Sequence, residues 1–358
     1  MPETIIPAIC SDRAVVYIGD AVVVLPVLDA ESVDSVVTDP PYGLEFSGQD
    51  WDGAKGFRES LADMDTSGMS DPEVFEAWCG AWAREALRVL RPGGHMAVFG
   101  GTRTWHRMAR GVEQAGFEIR DQIAWLYSSG MPKSLDLSHA ADQRLGATRS
   151  DRVVKVADNE TILGRTCKVL DKGRPVTDQA KRLEGWGTGL KPGFEPVLIA
   201  RKPVEGSVVA TVLEHGTGGL NIDAARFGEG RWPVNVCLDS GQARLLDRLN
   251  SGAGAGTAHL ASGKFPVFRY EGKASRSERP RAYGATHSTV KPLSLMRWLV
   301  GLLTPMRGVV LEPFAGSGTT VEAALLDGYR VVAVEKDESF LPLIQARLDR
   351  MTDTLARS

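Results

Sequence analysis

Val309-Val310-Leu311-Glu312-Pro313-Phe314-Ala315-Gly316-Ser317-Gly318-Thr319-Thr320 is the stretch that decides the fold. Val309 to Leu311 reads as a buried strand, the two glycines open a tight loop, and the polar run after them enters a helix. Arg330 to Val334 is the next strand and ends at Glu335. Strand, glycine loop, helix, strand and a terminal carboxylate make a βαβ unit of the nucleotide-binding kind. Glycines let the backbone pass close beneath a ligand, and a carboxylate about 20 residues on accepts hydrogen bonds from ribose hydroxyls. Gly316 and Glu335 keep that spacing. The loop departs from Gly-x-Gly-x-x-Gly, because polar residues take the third glycine's place and Asp337 follows Glu335 closely, which weakens a dehydrogenase reading.

The same alternation runs through the N-terminal third. Ala14 to Ile18 reads as a strand ending at Gly19-Asp20, Ala21 to Leu28 as a helical turn or two, and Val33 to Val37 as a buried strand. Leu44 to Gly68 is polar and Gly-rich, with Trp51 and Phe57 isolated in it, and reads as a mobile loop. Asp71-Pro72 reads as an N-cap with Pro at the first helical position, and Phe75, Trp78, Trp82, Ala86 and Leu90 then recur on one core-facing stripe. His95 to Phe99 and Phe117 to Tyr127 are strands flanking a helix over Thr102 to Ala115. The class expected is α/β, a doubly wound, mostly parallel Rossmann-like sheet.

Thr38-Asp39-Pro40-Pro41-Tyr42-Gly43 follows the buried strand. Two prolines fix their own φ and bias the preceding residue away from helix, so the chain leaves the sheet in a stiff, extended turn. That turn carries one carboxylate, carbonyl acceptors and an aromatic face, a set suited to an exocyclic amino group on a flat ring. Asp39 and the Pro40 carbonyl can accept the two amino hydrogens while Tyr42 stacks on the ring. Taken alone, the turn reads first as a strand end whose Asp caps and whose Tyr packs. Paired with the glycine loop it becomes specific, since a doubly wound sheet can bring both strand ends to one edge.

The chain has 358 residues and is 43% hydrophobic, enough for one large core with an inserted module. Met1 to Ser11 lacks a basic region leading into an apolar segment, and no apolar run approaches membrane-spanning length. Cys10, Cys79, Cys167 and Cys237 are scattered without metal-like spacing, so a reducing cytoplasm, no structural metal and no disulfide are expected. Net charge is −3, but residues 138–286 hold 23 Lys+Arg against 16 Asp+Glu, a net +7, and the rest of the chain carries −10. A polyanion would lie along that basic middle. Within it, Phe194 to Ala200 reads as a core strand, and Ser251 to Thr257 is a low-complexity patch. Arginines from Arg226 to Arg281 alternate there with Phe227, Trp232, Phe265, Phe268 and Tyr270.

With these residues on view, the sequence resembles the DNA amino-methyltransferases, in which an Asp-Pro-Pro-Tyr motif and a Phe-x-Gly-x-Gly motif share one domain. The order, with Asp39 to Tyr42 first, a variable middle, then His287 to Pro292 and the cofactor loop, is similar to the beta group. Arg88 to Gly94, Phe99 to Thr104 and Ile123 to Trp125 match further landmarks, and phage and prophage members are similar. Val290 stands where relatives often carry a polar residue.

The resemblance covers residues 14–135 and 287–350 well. It implies a methyltransferase core at 1–137, a polar and basic insertion at 138–190, a core strand at 191–202, a target-recognition region at 203–286, and a cofactor-binding half at 287–358. It implies S-adenosylmethionine as cofactor, with Phe314, Gly316 and Gly318 near its methionine and ribose and Glu335 on the ribose hydroxyls. Asp20 would lie near the adenine, Lys291 would help to close the pocket, and Asp39, Glu312, Ser317 and Thr319 complete the set.

Double-stranded DNA is the partner it implies. A homodimer is compatible with it, and neither a recognition sequence nor a partner endonuclease is legible. Catalysis falls to Asp39, Pro40, Pro41 and Tyr42, with Trp125 and Tyr127 as candidates for the wall opposite Tyr42, core packing being the favoured reading of Trp125. Asp rather than Ser at position 39 favours adenine N6 over cytosine N4 by resemblance. An RNA or protein amide methyltransferase remains the alternative of shared chemistry.

Overall fold

The computed structural model describes residues 5–45, 50–127, 134–150, 152–157, 166–171, 173–227, 230–251, 265–268 and 290–357. It divides into two compact units, one of Met1–Ser129 with Phe194–Ser358 and one of Gly130–Gly193. In chain order the strands are β1 (Ile9–Cys10), β2 (Ala14–Ile18), β3 (Val33–Thr38), β4 (Leu90–Phe99), β5 (Glu118–Leu126), β6 (Arg152–Ala157), β7 (Thr166–Asp171), β8 (Phe194–Arg201), β9 (Val236–Asp239), β10 (Val267–Phe268), β11 (Val309–Glu312) and β12 (Arg330–Glu335).

Among the described residues, the larger unit holds one ten-stranded sheet in the order β1-β2-β12-β11-β3-β4-β8-β5-β9-β10. The run from β2 to β4 is parallel throughout. β8 is antiparallel to both β4 and β5, and β9 and β10 continue parallel to β5. All six residues of β3 are buried, as befits a central strand covered on both faces. Successive side chains go to opposite faces: Val36 joins a cluster with Trp78, Trp82 and Met96, and Val37 joins another with Leu295, Leu299 and Ala97. The first cluster is capped by the helix Asp71–Val89, the second by the helix Leu293–Leu303.

Two local expectations need correction. Ser70, not Asp71, caps the long helix, through a capping box with Glu73. Leu44 to Gly68 is not an unstructured loop, for it holds a 3-10 turn at Asp50–Asp52 and a helix at Ala54–Ser60. Phe57 is buried there, with its ring centroid 4.6 Å from Trp78 and 5.4 Å from Phe75. Gly56 had suggested a loop; it is small because a Cβ would lie 2.4 Å from the Asp50 carbonyl oxygen. Within 203–286, β9 and β10 join the main sheet. Most of the Ser251–Thr257 patch, Arg269 to Arg281 with Tyr270, and His287 to Thr289 lie outside the described residues.

The smaller unit has the helices Leu137–Arg144 and Asp178–Arg182 and the antiparallel β6–β7 ladder. Its Asp142 is buried and accepts from Arg149 at 2.6 Å and from the backbone of Val176 and Thr177 at 3.0 and 2.9 Å. Among the described residues, no helix is long and apolar enough to cross a membrane.

Candidate active site

Parallel strands β2, β12, β11, β3 and β4 all end at the same edge of the sheet. β8 runs the other way, so its first residues reach that edge too, with Val197 opposite Phe99 and the Gly100 N–H donating to the Pro196 carbonyl at 3.0 Å. Four carboxylates therefore lie along this edge: Glu335 at the end of β12, Glu312 at the end of β11, Asp39 just past β3 and, across β4, Glu195 near the start of β8. The two motifs separated by some 270 residues of sequence are adjacent in space, because β11 pairs directly with β3, Leu311 against Val36. From that pair the chain winds outward in both directions, which makes it the switch point where open α/β sheets bind ligands.

Asp39, Tyr42, Glu195 and Lys291 form one hydrogen-bonded cluster. The Tyr42 hydroxyl is 2.8 Å from Asp39 Oδ1 and 2.9 Å from Glu195 Oε2. Lys291 Nζ is 2.5 Å from Asp39 Oδ2, 3.1 Å from the Tyr42 hydroxyl and 3.3 Å from Glu195 Oε2. Its ammonium also lies 4.8 Å from the centre of the Phe99 ring. Burial would lower the Lys291 pKa, but the Asp39 and Glu195 charges outweigh it and the net direction is up. The Tyr42 phenol is pushed well above its ordinary value by burial and then by the same two carboxylates, so it keeps its proton.

The turn itself is braced by Asp52, a buried residue whose carboxylate accepts from the N–H groups of Tyr42, Gly43 and Leu44 at 2.6, 2.9 and 3.2 Å. Thr104 donates to the Tyr42 carbonyl at 2.6 Å. Gly43 has φ +68°, and a Cβ there would sit 2.9 Å from the Phe75 ring. Among the described residues, nothing donates to the Pro40 carbonyl.

On the other side of β3, Glu335 Oε2 accepts from Gly316 N at 2.5 Å and Oε1 from Asp337 N at 2.8 Å. Burial raises the Glu335 pKa. Gly318 turns the loop into its helix at φ +77°, with Ile344 of the C-terminal helix where a Cβ would go. Arg347, fully buried in that helix, donates to the Ser317 carbonyl at 2.6 Å and to Thr319 at 3.1 Å, and pairs with Glu322. Phe314 is half-buried, with one side packed against Trp78 and Trp82 at centroid distances of 5.3 and 5.5 Å. Glu312 faces inward and accepts from the hydroxyls of Thr38 and Thr320 and from Phe314 N. Burial pushes its pKa up to about 8. Asp20 caps Val22, bonds Ser60 at 2.5 Å and pairs with Lys336 at 2.8 Å. Burial acts to raise its pKa, and these partners bring it below the usual value.

The residues of the two motifs, with Asp20, Lys291 and Glu335, lie on this edge or in its bracing, with a division of labour the sequence did not reveal. Trp125 takes the core role favoured from the sequence: it is 1% exposed and packs edge-on against Phe99, so it forms no wall facing Tyr42. Tyr127 packs on Trp125 with its centroid 5.4 Å away. Glu195, Asp52 and Arg347 went unrecognised. A signal existed for the first, since Glu195 interrupts an otherwise apolar strand opening, and for the second, since Asp52 follows an isolated Trp. Arg347 sits in a helix that reads as amphipathic and had no signal.

A carboxylate at a strand end, a positive-φ glycine loop and an aromatic face fit a nucleoside, and beside them stands a stiff turn rich in acceptors. The Rossmann-like sheet places the chain among α/β enzymes. Residues 33–346 match the N6_N4_Mtase family, described as DNA methylase, and the chain belongs to that family. S-adenosylmethionine is its cofactor. The chain is 25% identical over 357 residues to the type II methyltransferase M.HindIII of Haemophilus influenzae, covering 93% of this chain and 94% of that one. It is 24% identical over 229 residues to M2.DpnII of Streptococcus pneumoniae, covering 61% and 82%. In fold it is similar to PvuII DNA methyltransferase (cytosine-N4-specific), with a TM-score of 0.54 at 16% identity over 98% and 94% of the two chains.

Proposed function

We propose that the chain is a site-specific DNA methyltransferase of the type II kind that methylates the exocyclic N6 of adenine in a flipped-out base. One observation carries the reading: the Asp39 to Tyr42 turn and the Gly316 to Thr319 loop leave neighbouring strands at a single edge. Bound there, S-adenosylmethionine supplies an activated methyl group on a sulfonium. Phe314, Gly316, Ser317, Gly318 and Thr319 form its cradle, Glu335 takes the ribose hydroxyls, Asp20 lies toward the adenine end, and Lys291 helps to close the pocket. Glu312 serves the cradle from beneath by tying Thr38 to Thr320.

A ring amino group is a poor nucleophile because its lone pair is delocalised into the ring. Asp39 and the Pro40 carbonyl accept its hydrogens and favour the pyramidal nitrogen as positive charge develops. Pro40 and Pro41 hold those acceptors in place, so that alignment is set before reaction. The base must leave the duplex, at a few kcal/mol, and the Tyr42 ring holds it by stacking. Residues 203–286 choose the DNA sequence. Arg226 lies 5.4 Å from the centre of the Trp232 ring, which is 63% exposed, a pairing suited to phosphates and bases. Asp at position 39 favours adenine over cytosine.

Incubation with plasmid DNA and methyl-labelled cofactor, followed by digestion to nucleosides and mass analysis, tests the proposal. Label is expected in N6-methyladenine. Label in N4-methylcytosine alone would overturn the base assignment, and unlabelled DNA would overturn the function.

A further inference from the structure

The Tyr42 hydroxyl has one hydrogen, yet two carboxylate oxygens, of Asp39 and Glu195, stand at 2.8 and 2.9 Å from it. It can satisfy one of them at a time. Lys291 is shared in the same way, close on Asp39 at 2.5 Å and already within 3.3 Å of Glu195. Both Asp39 oxygens are thus engaged by this chain's own donors, Oδ1 by Tyr42 and Oδ2 by Lys291. An incoming amino group has to compete with them. A buried ammonium released from Asp39 without a new partner would carry a heavy desolvation cost, and Glu195 is the neighbouring carboxylate able to receive it.

We propose that Glu195 is a positioning residue that takes over Lys291 and the Tyr42 hydroxyl when the target amino group occupies Asp39. The inference rests on the reading of Asp39 as acceptor. The exchange makes and breaks hydrogen bonds only, and no covalent bond or net charge changes. The cluster holds two carboxylates and one ammonium. Two acids around one ammonium suit the positive charge developing on the reacting nitrogen. Glu195 is not needed for the strand itself, since β8 is held by its backbone ladder and the Glu195 side chain is 22% exposed.

Glu195→Gln keeps the shape and removes the charge. In single-turnover methyl transfer with saturating DNA and cofactor, its rate is expected to fall about 10- to 100-fold, with the cofactor Kd and the melting temperature unchanged. Glu195→Asp should recover part of the rate. The decisive readout is the cycle with Lys291→Met: once no ammonium has to be received, the further loss from Glu195→Gln should shrink to about twofold or less. An equal loss in both backgrounds would overturn the inference, as would a wild-type rate in Glu195→Gln. A lowered melting temperature with weakened cofactor binding would assign Glu195 a structural role instead. A wild-type protein that methylates no DNA would overturn the function and this inference together, which separates the two failures.

Discussion

Asp39 and Glu312 leave the ends of adjacent parallel strands, and their surroundings give them opposite characters. The Asp39 side chain is 20% exposed and has the Lys291 ammonium as counter-ion. Glu312 is 2% exposed and has hydroxyls and a backbone N–H around it but, among the described residues, no cation. Burial without a counter-charge turns an acid neutral, and a neutral acid is a brace. Asp39 instead stands against a buried ammonium within hydrogen-bond reach. On the proposed function, two carboxylates one strand apart thus separate into a reacting group and a structural one.

Breaking the reactive side should have the largest effect. Asp39→Ala is expected to lower methyl transfer by about 10²- to 10³-fold or more while cofactor binding stays largely intact, read by single-turnover assay and by calorimetric titration. Near wild-type turnover would remove Asp39 from the chemistry.

Loosening the turn should come next. Asp52→Ala strips three backbone N–H groups of their acceptor, and hydrogen bonds to a charged group are each worth about 1.5–3 kcal/mol. The expected result is a fall of about tenfold or more in rate with a smaller change in cofactor binding; a selective loss of cofactor affinity would contradict the assignment. Glu335→Ala should behave in the reverse sense and weaken the cofactor Kd by about tenfold before DNA recognition changes.

The neutral brace is probed in stability rather than rate. Burial lifts the folded Glu312 acid from 4.5 to about 8, so the folded protein holds a proton that the unfolded chain has released. Its contribution to stability is complete below the unfolded value of 4.5 and is lost as pH rises through about 8. Glu312→Gln resembles the protonated acid at every pH. Its melting temperature should therefore decline less than that of the wild type between pH 5 and pH 8, by an amount on the order of a few kcal/mol in stability. Parallel melting curves for the two proteins would show Glu312 to be ionised already in the folded state.

Much of this comparison was legible before any coordinates. The strands around Asp39 and Glu312 announce themselves as apolar runs, and both turns carry prolines and glycines whose φ limits act within a few residues. The helix at Ala54–Ser60 was missed because its polar, Gly-bearing sequence resembles a loop; only Phe57 settling on Trp78 makes it fold. Asp52 was missed with it, since an acid in a presumed loop has no evident task until three N–H groups converge on it. Trp125 was offered two roles, and burial decided for the core.

The sequence by itself determined the α/β alternation, the glycine loop with its distal carboxylate and the acceptor-rich turn, because each is set by side-chain period and backbone limits over short spans. The tertiary structure alone decided that β11 lies against β3, that β8 runs antiparallel and so carries Glu195 to the same edge, and that Lys291 stands between two acids. Those facts depend on hydrogen-bonded strand order and on packing across most of the chain, and no local pattern encodes which distant strand end a carboxylate will meet.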